Sequence, residues 1–237
     1  MSNRKIAVVL QQFGGPDSLK AVQPFLFNLF NDPDIVELPF GPTFQKALAT
    51  IISKTRAKSV SLKYAEIGGK SPIVEKTCEQ LLALQTYFNR YHAEENIKVY
   101  LSMRYWRPFA RETVGRLMAE GVKEVVHIPL YAQYSKTNAG SSYNEWDRVT
   151  KQLGARFYER RIMYYHRDPQ YLAAMNERIE EALAKFPDRS KVRILFSAHG
   201  TPLDMVQAGD PYSYHIEETM EALMKLRGHD LPYQLSY

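Results

Sequence analysis

Ile6-Ala7-Val8-Val9-Leu10, followed by Phe13-Gly14-Gly15-Pro16-Asp17, decides how this chain is read. Five apolar residues in unbroken succession suit a strand buried on both faces, not one that alternates between core and water. Glycines and a proline then end the strand in a loop. Asp17 or Ser18 is placed to cap a following helix whose apolar positions are Leu19, Val22, Phe25, Leu26 and Leu29. Strand, glycine-rich loop and helix together make the first half of a βαβ unit.

The pattern recurs outward from there. Residues 72–92 read as a helix with Pro72 in its first turn, 99–103 as a strand, 108–120 as a helix ended by Gly121, and 125–131 as a strand. Strands alternating with helices predict parallel pairing in an open, doubly wound α/β sheet. A second domain is expected to begin near Leu153-Gly154. It would hold a short strand at 156–158, a helix at 169–186, a buried strand at 192–197, a helix at 212–225 and a strand start at 233–237. The expected division is 1–153 and 154–237. A domain that ends inside a strand leaves its last crossover unmade, so the second domain is expected to be incomplete.

Composition excludes several classes. The chain has 237 residues, 45% hydrophobic, enough for a sizeable core without disulfides. A single cysteine, Cys78, rules out an internal disulfide framework and cannot by itself hold an iron–sulfur cluster. The polar N-terminus has no signal-peptide core, and no apolar run reaches the roughly 18 residues of a membrane span. A cytoplasmic protein is expected. The formal net charge of +5 suits an anionic ligand or surface. No Lys/Arg block tracks a phosphate backbone, so no nucleic-acid partner is expected.

Ligands of open α/β sheets bind outside the carboxyl ends of the strands. That rule selects four loops. Gln12 to Pro16 lacks the spacing of a dinucleotide or P-loop motif and reads as either a close-approach loop or a plain turn. Ile67-Gly68-Gly69-Lys70-Ser71-Pro72, with Arg56 and Tyr64 before it, offers a helix start that attracts anions or merely an N-cap at Ser71. Residues 131–144 combine hydroxyls with aromatic faces, including Tyr131 and Tyr143, and suit a flat apolar ligand with charged edges. Phe196-Ser197-Ala198-His199-Gly200-Thr201-Pro202 sets His199 just past a buried strand, where an imidazole can bind a metal or accept a proton.

These loops together resemble the ferrochelatase family. The match runs through 13–19, Gly68-Gly69-Lys70-Ser71-Pro72-Ile73, Arg104-Tyr105-Trp106-Arg107-Pro108, 131–135 with Gly140-Ser141-Ser142, and 196–200 with Gly209-Asp210-Pro211-Tyr212. The stretches keep family order over nearly the whole chain. The resemblance implies two Rossmann-like domains with a porphyrin cleft between them, and insertion of Fe2+ into a porphyrin to make heme. His199 matches the active-site histidine, the candidate for both catalysis and metal handling. Arg56, Tyr64 and Ser71 match porphyrin contacts, Tyr143 a contact used in some members, and Phe13 the residue beside the porphyrin's central metal. Tyr131 belongs to the loop that would grip the ring. Phe13 cannot ligate iron as a tyrosine there can, which favours protoporphyrin over coproporphyrin.

Iron is then substrate, with no built-in cofactor. Lys136 stands where cluster-bearing members have a cysteine, so no iron–sulfur cluster is expected. Ala132 replaces a usual proline. The family continues past Tyr237 into a Gln-Ser-x-Val-Gly-Pro segment and a strand bearing an active-site glutamate. Two other readings are a non-catalytic tetrapyrrole-binding fragment and a chelatase for another metal or tetrapyrrole. The apolar face of Phe25, Phe27, Leu29, Phe30 and Ile35 reads as helix packing, or as a lip giving peripheral membrane contact.

Overall fold

The computed structural model describes residues 5–36 and 41–237. The polar start of the chain, residues 1–4, lies outside them. Two compact units emerge, Met1–Leu130 with Lys136–Met163, and Tyr131–Ser135 with Tyr164–Tyr237.

In the first unit, β1 (Ile6–Gln12), β2 (Ile97–Met103), β3 (Glu124–Pro129) and β4 (Tyr158–Arg161) form one sheet in the order β2-β1-β3-β4. All its pairs are parallel. The unbroken apolar run at β1 is explained by burial on both faces. Ala7 and Val9 pack with Tyr100, Val114, Leu117, Val125 and Trp146, under α4 (Ala110–Ala119) and α5 (Ser141–Leu153). Val8 and Leu10 face the other way, against Val99 and Leu101 and the apolar stripe Val74, Leu81, Leu84 and Phe88 of α3 (Ile73–Tyr91). Side chains of a strand alternate in direction, so the doubly wound fold needs both sets to be apolar.

Two elements depart from the sequence reading. Gly41–Glu66 forms a long helix, α2, which hydrophobic periodicity does not reveal. Its buried residues are Gln45, Ala49 and Ser53, small or polar, so no apolar stripe marks it. It packs on α1 (Val22–Phe30), and Gln45 Nε2 donates to the Phe30 carbonyl at 2.7 Å, satisfying an orphan group at the end of α1. The second departure is the domain boundary, expected at 153/154. Strand β4 hydrogen-bonds to β3, Glu124 opposite Tyr158, so the first unit runs on to Met163. The apolar face that reads as helix packing, or as a lip, is largely packed. Phe25 is buried beside Val22, Leu26 and Tyr105, with Leu29, Phe30 and Ile35 packed against them.

The second unit holds α6 (Pro169–Leu183), β5 (Ile194–Ser197), α7 (Leu203–Gln207), α8 (Tyr212–Leu226) and β6 (Tyr233–Ser236). Strands β5 and β6 pair in parallel, Ile194 opposite Tyr233. Asp168 caps α6 by accepting from the Gln170 and Tyr171 N–H groups, with Pro169 in the first turn. The segment 131–135 joins this unit through side chains on and before α8. Gln133 Nε2 donates to Thr219 Oγ1 at 2.9 Å, Ser135 Oγ to Asp210 Oδ2 at 2.9 Å, and the Tyr134 N–H to His215 Nδ1 at 3.3 Å. No helix among the described residues is long and apolar enough to cross a membrane.

Candidate active site

In the first sheet the chain leaves β1 for β2 on one side and places β3 on the other. That reversal makes the carboxyl end of β1 the place where an open sheet parts its helices and admits a ligand. The loop there begins at Phe13. Its ring is half-buried and meets Tyr105 edge-on, centroids 4.6 Å apart, and Phe25 at 6.2 Å. Tyr64, near the end of α2, packs into the same cluster with Val60 and Trp106, and burial pushes its phenol pKa up. Arg56, two turns earlier on α2, is exposed and lies over the Phe30 ring at 5.9 Å. Phe13, Tyr64 and Arg56 therefore share one apolar wall with a cation at its edge.

Ser71 reaches this wall through the loop glycines. Gly14 has φ of +82°, and a Cβ on it would come 3.0 Å from the Trp106 nitrogen. A Cβ on Gly15 would lie 2.6 Å from both Cβ and Oγ of Ser71. The Ser71 N–H donates to the Pro16 carbonyl at 2.8 Å, and its Oγ accepts from the Ile73 N–H at 3.3 Å, at the start of α3. The glycines are thus needed for loop to meet loop, whatever else they admit.

Tyr143 lies elsewhere. It is 4% exposed, its hydroxyl donates to the Ile162 carbonyl at 2.5 Å, and its ring is covered by the Arg161 guanidinium at 5.0 Å. Ring and hydroxyl of Tyr143, the expected porphyrin contact, are thus both engaged within the first unit. Tyr131 is half-buried and opens the segment that joins the second unit.

The sequence reading misses the buried hub behind the wall. Asp32 has a fully buried side chain that accepts from Tyr105 Oη at 2.5 Å, Ser141 Oγ at 2.5 Å and an Arg104 guanidinium nitrogen at 2.9 Å. Arg104 Nε also donates to Ser141 Oγ at 2.7 Å. Burial, then the Asp32 charge, drives the Tyr105 phenol far above its usual range. Arg104-Tyr105 and Ser141, which fall in two separate family-like stretches, are thereby explained as one polar core. Asp32 sits in Asn31-Asp32-Pro33-Asp34, where nothing in the sequence sets it apart from Asp34 two residues on.

A second buried group sits on β3. His127 is fully buried, with Nδ1 3.2 Å from Gln11 Nε2 and Nε2 facing Glu159 Oε2 at 3.4 Å. Burial lowers the imidazole pKa, and Glu159 opposes that shift. Burial would raise the Glu159 carboxyl, but His127, Arg161 and Trp146 outweigh it and hold it at about 2.

In the second unit, His199 stands on the loop past β5. Ala198 N–H donates to the Ser236 carbonyl at 2.8 Å, which fixes the chain just before the histidine. Tyr212 is held near the loop: burial raises its phenol pKa, while a hydrogen bond with the His199 backbone works against that. The Tyr212 N–H in turn donates to Asp210 Oδ1 at 3.0 Å. The 196–200 and 209–212 motifs are thus one structural feature. The His199 side chain is exposed and, among the described residues, no hydrogen bond or ion pair engages its ring.

The first unit, a helix-flanked parallel α/β sheet, carries a wall of apolar and aromatic groups with a peripheral cation, and the second an exposed imidazole at a strand end. The family model for ferrochelatase matches residues 5–237. A ferrochelatase of Aquifex aeolicus (strain VF5) is 43% identical over 234 residues, covering 98% of this chain and 72% of the relative. One of Geotalea daltonii is 41% identical over 236 residues, covering 99% of this chain and 72% of the relative. One of Trichodesmium erythraeum is 40% identical over 236 residues, covering 98% and 60%. The chain belongs to the ferrochelatase family.

Proposed function

We propose that this chain inserts ferrous iron into a porphyrin, with His199 as the group that takes a pyrrole proton or receives the metal. The observation that carries the reading is the exposed His199 imidazole just past the end of β5, unengaged among the described residues, in a chain that matches ferrochelatases over residues 5–237. Charge and atom balance define the reaction. One Fe2+ enters, two pyrrole protons leave, and the metalloporphyrin keeps the net charge that the porphyrin had. An imidazole can accept one of those protons or hold the cation, but not both at once. A half-buried Phe13 offers the porphyrin an apolar, non-ligating face, which supports a protoporphyrin substrate. Arg56 supplies a cation for a propionate, and Tyr64, Ser71 and Tyr131 complete the binding set. The acceptance of a flat ring follows from aromatic faces that are already packed and need little reordering.

In this reading the protein acts in the cytoplasm and carries no resident iron–sulfur cluster, Lys136 standing where a ligating cysteine would be needed. Peripheral membrane contact falls on Ile51 and Leu62 of α2, each 61% exposed, where apolar area has most to gain from lipid. The test is an insertion assay on the purified chain with Fe2+, run in parallel with protoporphyrin and coproporphyrin and followed by the metalloporphyrin spectrum. Turnover that disappears in His199→Ala, with porphyrin titration unchanged, supports the assignment. Porphyrin binding without turnover in the unaltered chain would instead mark a tetrapyrrole-binding module.

A further inference from the structure

A second set of metal-ligating groups lies in the second unit. His166 precedes α6, and His215 and Glu218 stand three residues apart on α8, which puts them side by side on one helix face. One ligand atom from each of the three lies within 4.8 Å of the others. His166 Nε2 is 2.9 Å from Glu218 Oε2, and the two imidazoles stack with centroids 3.9 Å apart. His166 is 3% exposed and His215 7%. The cluster opens on a cavity of about 360 Å3 bordered by Tyr164, Tyr165, Arg167 and Tyr214.

Two further observations point to a ligand. His166 Nδ1 is buried and, among the described residues, has no hydrogen-bond partner, a state that buried polar atoms rarely keep. The far oxygen of the carboxylate is also anchored: Glu218 Oε1 accepts from Arg167 at 2.9 Å and from Tyr214 Oη at 3.1 Å. That leaves Oε2 turned towards the imidazoles, the outer-shell orientation that metal-binding carboxylates show.

We propose that His166, His215 and Glu218 hold a divalent transition-metal ion. Two imidazole nitrogens and one carboxylate oxygen suit a borderline cation such as Zn2+, Co2+, Ni2+ or Fe2+, and leave coordination positions for water. Stacked rings carry their lone pairs in nearly parallel planes, so the rings turn to converge on the ion. The ion also competes with the Tyr134 N–H for His215 Nδ1, a bond that is long at 3.3 Å and correspondingly weak. A bound ion would link the start of α6 to α8, so occupancy stabilises the folded chain by mass action.

The test uses Zn2+ alone as the probe, titrated against a chromophoric chelator, on the full chain in a His199→Ala background that removes the other candidate ligand. One equivalent of Zn2+ is expected to bind, with affinity reduced at least about tenfold by His215→Gln and by Glu218→Gln, in line with loss of one ligand. The His166 and His215 ring-nitrogen NMR signals of the unaltered chain are expected to move on Zn2+ addition, which keeps the idea testable even where a variant unfolds. Unshifted ring signals, or Zn2+ affinity undiminished in both variants, would overturn the site.

Discussion

Asp32 and His199 make opposite use of a polar side chain. Asp32 is fully buried and takes bonds from Tyr105, Ser141 and Arg104. His199 is exposed on a strand-end loop, and no hydrogen bond or ion pair among the described residues engages its ring. Asp32 binds residues of family-like stretches, and His199 lies within one. A buried carboxylate with three side-chain donors is committed to holding helix, strand and loop together. An imidazole that keeps its nitrogens unengaged is available to a proton or a metal. Resemblance alone does not separate the two roles; the hydrogen-bond partners do.

Substitutions can sharpen or break that contrast. His199→Ala should lower iron insertion by about 10²–10⁴-fold, the usual range for a lost acid–base group, while leaving the thermal midpoint unchanged. A large fall in the midpoint would make His199 structural after all. Asp32→Ala should do the reverse. It leaves the largely covered Arg104 guanidinium without its carboxylate, and a cost of about 3 kcal/mol in denaturant unfolding is expected. Little change in unfolding would mean that the hub is not what fastens Arg104-Tyr105 to Ser141.

Gly15→Ala probes the junction between the Phe13 loop and Ser71. Its Cβ would meet Ser71 at 2.6 Å, so a loss of about 1–3 kcal/mol is expected, together with weaker porphyrin binding. Unaltered stability would show that the two loops move apart freely. The smallest effect concerns pH. Glu159 has a folded pKa of about 2 against an ordinary 4.5, so its stabilisation is present above pH 4.5 and is lost as pH falls towards 2. His127, lowered by burial, adds an acid-side loss that begins below its ordinary value of 6.5. Glu159→Gln should therefore flatten the stability profile between pH 4.5 and 2 by about 1–2 kcal/mol, the shift being discounted for the solvent that still reaches this carboxylate. An unchanged acid limb would show that Glu159 has no part in acid unfolding.

How legible each part of the molecule is depends on the kind of signal it leaves in the sequence. β1 is readable because burial on both faces demands an unbroken apolar run, and residues 6–10 supply one. α3 and α8 are readable from their apolar spacing. α2 is not, because the face it buries is made of Gln45, Ala49 and Ser53. Arg56 and Tyr64 therefore stand out in the sequence with no visible helix to carry them. β4 falls on the wrong side of the expected boundary because Tyr-Glu-Arg-Arg carries no core pattern, and only its pairing with β3 shows where it belongs. Tyr143 has the right residue type and neighbourhood for a ring contact, yet its hydroxyl goes to Ile162.

By itself the sequence determined the class of fold, the family and the loop that carries His199, because periodicity and motif order are local properties written in neighbouring residues. Only the tertiary structure decided that Asp32 meets Ser141, that residues 131–135 attach to α8, and that His166 faces His215 and Glu218. Asp32 and Ser141 lie 109 positions apart, Gln133 and Thr219 86, and His166 and Glu218 52. No periodicity reaches that far, and their meeting is set by how helices and strands pack once the core has closed.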